Sequence, residues 1–380
     1  MKTHFRNRVQ GHLVPWLAAT AAGSLMIAVP WWICRAQTAP EQRAPDSTYT
    51  LHVYTDLLQI PTIVLTPLHS NYRALTKESF TLSLDGGPRF HPANVRLEGD
   101  DPITLAVVLD MTTVDNSMFA SFASAMSTLP PGLFSARDYI SVYAYDCKLM
   151  RTTEDKPATP LELQASMVKV MTEGRGSARN GAKQPCWQGK RLYDVIAKVS
   201  QDISDLPGRR VVLVISDGAD RHSVNDWLAV ARFAGNKSIA IFGIRPVRPP
   251  TGTTKGYSGS DFDDGWVTVT ESDSFGRLCG SSGGVVLDGG SSKKMMAGQI
   301  QRFMAMLRER YIVEFPRPAN GSAGFYAFDV QVKDPTAIIR SAGVAFPPRE
   351  RDAKAEPGTV PQDESKMPLV GSKHEANQPK

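Results

Sequence analysis

The chain lacks the short motifs that announce common chemistries. There is no G-x-S-x-G elbow, so no strained turn presents a serine nucleophile. There is no GxxxxGK[ST] loop and no G-x-G-x-x-G after a strand pattern, so no backbone cradle for phosphates is spelled out. Histidines are few and scattered, 7 in 380 residues. A large excess of one charge is missing as well: 43 Lys and Arg stand against 38 Asp and Glu, a formal +5. Without a basic stripe this gives no footprint for nucleic acid, and none is expected as a partner. Cysteine is scarce, 4 in all, and Cys34 lies in the N-terminal apolar run. Cys147, Cys186 and Cys279 remain, an odd number that permits at most one internal disulfide.

That apolar run is the first positive feature. Lys2, Arg6 and Arg8 precede an almost uncharged stretch from Leu13 to Cys34. Positive residues ahead of an apolar region read as an export signal. The run is also long enough to span a bilayer uncleaved. Pro15 and Pro30 inside it argue against a buried core helix. Residues 1–36 are therefore expected to be a signal peptide or a membrane anchor, touching the membrane at least during export. The rest is expected outside the cytoplasm: periplasmic, anchored in the cell envelope, or secreted. Disulfides persist there.

Residues 37–48 are polar and read as a linker. From Tyr49 to Thr66 the sequence alternates like a strand, and Phe80 to Asp85 alternates again before an Asp-Gly turn signal. Residues 49–101 read as an N-terminal β module. The pattern then changes. Ile103–Asp110 and Val211–Ile215 are short apolar runs without alternation, suited to strands buried on both faces. Tyr139–Tyr145, Ser238–Ile244 and Gly283–Leu287 add further strands. Helical periods fall between them: 117–129, 160–171, 191–206, a segment capped at Ser223, 275–279 and 292–309. This alternation predicts an α/β fold, a doubly wound and mostly parallel sheet over residues 102–310. Strands return at 311–315, 325–332 and 338–346, so 311–346 reads as C-terminal β segments. These flanks are placed to form one small β sandwich. Residues 347–380 are charged and poor in apolar side chains, the composition of a disordered tail.

Two strands deliver an aspartate at their ends, Asp110 and Asp217. In open α/β sheets ligands sit at that edge. Asp110, the Ile215-Ser216-Asp217-Gly218 strand end, Leu192-Tyr193-Asp194 opening a helix, and Cys279-Gly280-Ser281-Ser282 before a strand occur in an order that resembles a von Willebrand factor A (VWFA) domain. Leu75-Thr-Lys-Glu-Ser-Phe80 followed by Asp85-Gly86, with Tyr311-Ile-Val-Glu-Phe315 and Arg340-Ser-Ala-Gly-Val344, resembles an exported, acidobacterial-type family of VWFA-related proteins.

The resemblance implies a VWFA/Rossmann-like fold and a divalent cation site, Mg²⁺ or another hard cation, at the top of the sheet. Carried over residue by residue, its ligands are Asp110, Thr112, Ser117 in an altered register, and Asp217. The site departs from the family pattern. Val114 stands where a hydroxyl is expected, and Lys190 where a threonine is expected. An ammonium a few Å from a cation repels it by about 4 kcal/mol at an effective dielectric near 20. Lys190 is therefore expected to pair with Asp110 or Asp217 in a degenerate, metal-free site, and no cofactor is expected. Asp110, Thr112, Lys190 and Asp217 form the candidate ligand-binding set. The alternative is that both aspartates only cap loops or helix starts.

The Gly- and base-rich loop 174–191 belongs on the same edge, suited to an acidic partner or glycan. Cys147 and Cys186 fall near it, and a disulfide between them would tether the loop, worth about 3–4 kcal/mol. The leading expectation is a non-enzymatic binding or adhesion module for a protein or cell-surface ligand. The alternatives are a scaffold subunit of an envelope complex and, more weakly, a hydrolase using Ser216 and His222.

Overall fold

The computed structural model describes residues 57–67, 70–99, 101–112, 116–126, 130, 132–146, 148–173, 190–245, 273–289, 293–318, 320–322, 324–342, 344–346 and 367–371. All fall within one compact unit, Leu51–Lys380. The N-terminal run, Cys147, Cys186, Val114 and the loop 174–189 lie outside them. No helix among the described residues is long and apolar enough to cross a membrane.

The chain enters through β1 (Leu57–Leu65), β2 (Phe80–Leu84) and β3 (Asn94–Leu97). It then runs β4 (Ile103–Asp110), α1 (Asn116–Met126), β5 (Tyr139–Asp146), β6 (Lys148–Pro157), α2 (Pro160–Glu173), α3 (Leu192–Ile203), β7 (Arg209–Ile215), α4 (Trp227–Asn236), β8 (Ile239–Arg245), α5 (Ser274–Ser281), β9 (Val286–Asp288) and α6 (Lys293–Arg308). It closes with β10 (Tyr311–Pro316), β11 (Gly324–Tyr326), β12 (Phe328–Val332), β13 (Ile338–Ser341) and β14 (Val344–Phe346).

Six strands form the central sheet in the order β6-β5-β4-β7-β8-β9. All pair in parallel except the edge strand β6, which runs antiparallel to β5. Counted within the sheet this is the doubly wound order 3-2-1-4-5-6, whose winding reverses between β4 and β7. The alternation of each strand divides two cores. Leu105, Val107 and Leu109 of β4 face a layer with Phe122 of α1, Met167 of α2 and Phe303 of α6. Ala106 and Val108 face Ile196 of α3, Val230 of α4 and Leu278 of α5. Buried on both faces, β4 has no solvent-facing position, which is why its sequence shows no polar alternation.

The flanks do pair. β1 lies between β10 and β13, both antiparallel to it, and β3 adds beyond β10. β2 pairs with β12. Leu58, Ile60 and Val64 of β1, Phe80, Leu82 and Leu84 of β2, Val313 and Phe315 of β10 and Val330 of β12 fill one sandwich core. β1 also sends Ile63 and Leu65 into the core beneath α6. The sandwich therefore shares a strand with the α/β core, and 49–101 is not a module of its own.

Several expectations are corrected. β6 was not legible. The stretch 325–332 is two strands, broken at Ala327, whose amide is taken by the Asp85 side chain at 2.7 Å. Ser223 does not cap α4; Asp226 does, accepting from the Ala229 amide at 2.6 Å. The tail is not structureless throughout, since Val370 bridges Leu84.

Candidate functional site

The reversal point of the sheet is where two of the predicted side chains meet a third. β4 ends in Asp110, fully buried, and the next amide, Met111, is fixed to the Tyr145 carbonyl of the neighbouring strand at 2.8 Å. β7 ends at Ile215 and passes through buried Ser216 to Asp217. Lys190 immediately precedes Arg191 and α3. Its carbonyl accepts from the Arg221 and His222 amides, each at 3.0 Å, and the Arg191 amide donates to the Tyr145 hydroxyl at 2.8 Å. Burial pushes that phenol above its usual range, so it stays protonated while its oxygen accepts this bond. Backbone contacts on both sides thus set where the Lys190 side chain begins.

The ammonium ends between the two carboxylates. Lys190 Nζ lies 2.9 Å from Asp110 Oδ2 and also contacts Asp217 Oδ1. The lysine side chain is 9% exposed and the Asp110 side chain 0%. Asp110 takes three more bonds. Thr112 donates its amide at 3.1 Å and its hydroxyl at 2.5 Å to Oδ1, and Ser216 donates its hydroxyl to Oδ2 at 2.6 Å. A carboxylate offers about four lone-pair sites, and all four on Asp110 are filled from within the chain. Ser216 in turn accepts from the Gly218 amide at 3.0 Å, and Asp217 Oδ1 from the Ala219 amide at 2.9 Å.

The described residues do not fit a resident divalent cation. The most buried carboxylate has no acceptor site left, and a positive charge already stands between the pair. Thr112, expected as a ligand, turns its hydroxyl onto Asp110 instead. Ser117 falls in the first turn of α1, and its side chain lies outside the described set. Among the described residues, no cluster of three or more His, Cys, Asp or Glu side chains could hold a metal. Asp110, Thr112, Lys190 and Asp217 are brought together, as the candidate ligand-binding set requires. The hydrolase parts are not. Ser216 is fully buried and spends its hydroxyl on Asp110, while His222 is exposed.

Sequence reading missed the knot beside this site. The Tyr193 amide, at the start of α3, donates to Asp220 at 3.2 Å, and the Asp194 amide donates to the Ser223 hydroxyl at 3.1 Å. The Ser223 hydroxyl donates to Asp220 at 2.5 Å. Asp194 repays the loop by accepting from the Val224 and Asn225 amides at 3.0 Å each. Burial alone would raise the Asp194 carboxyl, but these amides bring it below its usual range. The loop after β7 thus caps α3 from outside. The Asp220-x-x-Ser223 spacing was a signal for a capping turn, though not for which helix it would serve. Gly218 allows the tight approach. It sits at φ 78°, and a Cβ there would come 2.6 Å from the Phe275 ring.

No protein-family model matches the chain, and no curated protein does. Among solved structures it is similar to an aerotolerance-related membrane protein from Bacteroides fragilis, at 11% identity over 53% of this chain and 98% of that one, TM-score 0.35. It is similar to the conserved hypothetical protein BatB from Bacteroides thetaiotaomicron, at 14% identity over 53% and 98%, TM-score 0.33. Proximal thread matrix protein 1 from the mussel byssus, solved with a zinc-occupied MIDAS motif, is similar at 12% identity over 59% of this chain and 49% of that one, TM-score 0.37. Likeness at this level bears on no function. The strand order and the two helix layers make the α/β part a doubly wound, mostly parallel sheet with Asp110 and Asp217 at its reversal point.

Proposed function

We propose that this chain is an exported binding module that engages a protein or cell-surface ligand through the top edge of its central sheet, without a divalent cation and without catalysis. The observation that carries the reading is Lys190 seated between Asp110 and Asp217, with every acceptor site of Asp110 filled. The ammonium does structurally what a cation would do: it holds three loops together at the edge. It leaves Asp110 no coordination to offer a ligand. Recognition then falls to the surrounding surface. Val224, 85% exposed, and the exposed Leu228 stand on the same edge, next to the loop that caps α3. Single exposed apolar residues are ordinary on protein surfaces, so Val224 serves here as a probe of this edge.

Affinity capture from native envelopes, run with and without chelator, tests this. Capture of a partner should survive chelator and should be lost in Val224→Asp without a change in melting temperature. Capture abolished by chelator would overturn the metal-independent reading. Stable, chelator-insensitive co-purification that Val224→Asp leaves intact would favour a scaffold subunit of an envelope complex. Isothermal titration of the wild-type chain with Mg²⁺, Mn²⁺ or Zn²⁺ is expected to show no saturable site. A one-site isotherm that Asp217→Ala removes would contradict it.

A further inference from the structure

The edge of β2 opposite β12 is covered in an unusual way. Leu82 exchanges two backbone bonds with Phe90, at 2.9 Å each, through the turn at Asp85 and Gly86. One step on, the cover is not local. Val370 forms a parallel bridge with Leu84, and the Gly371 amide donates to the Leu84 carbonyl at 3.0 Å. On the other side of the segment, Asn320 binds the backbone of Val370 twice. Its Nδ2 donates to the Val370 carbonyl at 3.2 Å, and its Oδ1 accepts from the Val370 amide at 3.0 Å. Val370 packs against the sandwich core and Pro368 is buried, while Leu369 points out at 47% exposure.

Two glycines make the approach possible. A Cβ on Gly87 would lie 2.6 Å from the Gly371 nitrogen and 2.7 Å from the Leu369 carbonyl oxygen. A Cβ on Gly371 would lie 2.5 Å from the Asp85 carbonyl oxygen and closer still to the Gly87 nitrogen. The groove therefore recognises an extended backbone, one apolar side chain pointing inward, and a glycine directly after it. This is strand addition to an exposed edge, with main-chain bonds supplying affinity and a pocket supplying selectivity.

We propose that the β2 edge, with Asn320 and Gly87, is a docking site for an extended Pro-Leu-Val-Gly segment, and that two copies of the chain exchange their 367–371 segments through it. None of the seating contacts depends on the segment belonging to the same chain. Twenty residues, 347–366, separate it from Phe346, a reach of about 70 Å at full extension. Such a tether gives an effective local concentration on the order of millimolar. Docking within one chain prevails in dilute solution, and exchange takes over where copies are crowded. The result is a swapped dimer or a chain of copies that gains no new contact.

The test uses two full-length variants. Gly87→Ala closes the groove, and Gly371→Ala disables the segment. Hydrogen exchange should show the Val370 and Gly371 amides protected in the wild-type chain and unprotected in either variant. Each variant alone should sediment as a monomer at all concentrations. An equimolar, concentrated mixture should form a heterodimer, joined by the one intact groove and the one intact segment. Asn320→Ala, at an exposed position away from the Asp85-Gly86 turn, serves as a second groove variant and should behave like Gly87→Ala. A mixture that stays monomeric would overturn the exchange. Wild-type Val370 and Gly371 amides exchanging as fast as free peptide would overturn the docking site itself. Dimers formed equally by each variant alone would place the contact elsewhere.

Discussion

Lys190 is held to a carboxylate, Asp110, whose side chain is fully buried. Removing one partner of such a pair leaves an uncompensated charge and costs about 3–5 kcal/mol. Lys190→Ala should therefore lose that much in urea unfolding, while Asp217→Ala, whose side chain is 21% exposed, should lose less. Lys190→Thr tests the same geometry from the other side. It vacates the space between Asp110 and Asp217, and this variant should regain stability on addition of Mg²⁺ or Mn²⁺, through binding to the folded state alone. A melting temperature indifferent to both ions would show that the carboxylates are not arranged for a cation even when freed. Cys279 makes a different kind of prediction. It is fully buried, and burial pushes its thiol above the ordinary range. Iodoacetamide should leave it unmodified in the native chain and alkylate it once the chain is unfolded. At this scale the sequence was informative where chemistry forces a position: an aspartate closing an apolar strand, a lysine where a hydroxyl was expected. It was silent on Ser216 as a donor to Asp110, because a serine beside an aspartate has many uses.

Among the elements, α3 has the clearest dependence on something outside itself. Its first amides are satisfied by Asp220 and Ser223, and Ser223→Ala should cost about 1 kcal/mol, the usual worth of a cap. The pH response follows from Asp194. Its carboxyl is held below the usual range in the folded chain, so its contribution is complete above about pH 4, the ordinary carboxylate range. It is lost as pH falls through the lower folded value. Asp194→Asn should therefore flatten the acid limb of the stability curve below about pH 4. An acid limb identical to the wild type would rule out this coupling. The buried strands were legible because both faces are apolar. β6 was not, for the converse reason: as an edge strand only Thr152 and Thr153 are buried, and its charges leave no period of two to read. The break at Ala327 was hidden because its cause, the Asp85 side chain, lies 242 residues away.

In the whole molecule, a buried seam helps tie the two flanks to the inserted domain. The Glu98 amide donates to the Arg310 carbonyl and the Gly99 amide to the Arg308 carbonyl, at 2.8 and 2.9 Å. Arg310 forms a bidentate, buried pair with Glu98, at 2.7 and 2.9 Å, and Arg308 reaches Asp138 at the start of β5. β1 contributes to both cores. The described residues should therefore unfold in one transition, with calorimetric and van't Hoff enthalpies in agreement. Two resolved transitions would mean that the sandwich and the α/β domain are energetically separate. Glu98→Ala, which strands Arg310, should lower the single transition rather than split it. The pairing of the flanks was foreseeable from strand order. The seam was not, since Glu98 and Arg310 stand 212 residues apart and nothing local marks them as partners.

The antiparallel pairing of β1 with β13 also decides how the protein would respond to being pulled. Thr62 faces Ser341 and Leu65 faces Ile338, so the N-terminal end of one strand lies at the C-terminal end of the other. Tension applied through the two flanks opens these strands from a single end, one rung at a time, as a zipper opens. The α/β domain is on the line of force from the start, because Ala342, directly after β13, bridges Ser282 beyond α5. Pulling on the flanks would therefore load the β8 side of the α/β domain, where the Ser282 hydroxyl is bonded to the Ile241 amide, before β1 and β13 part.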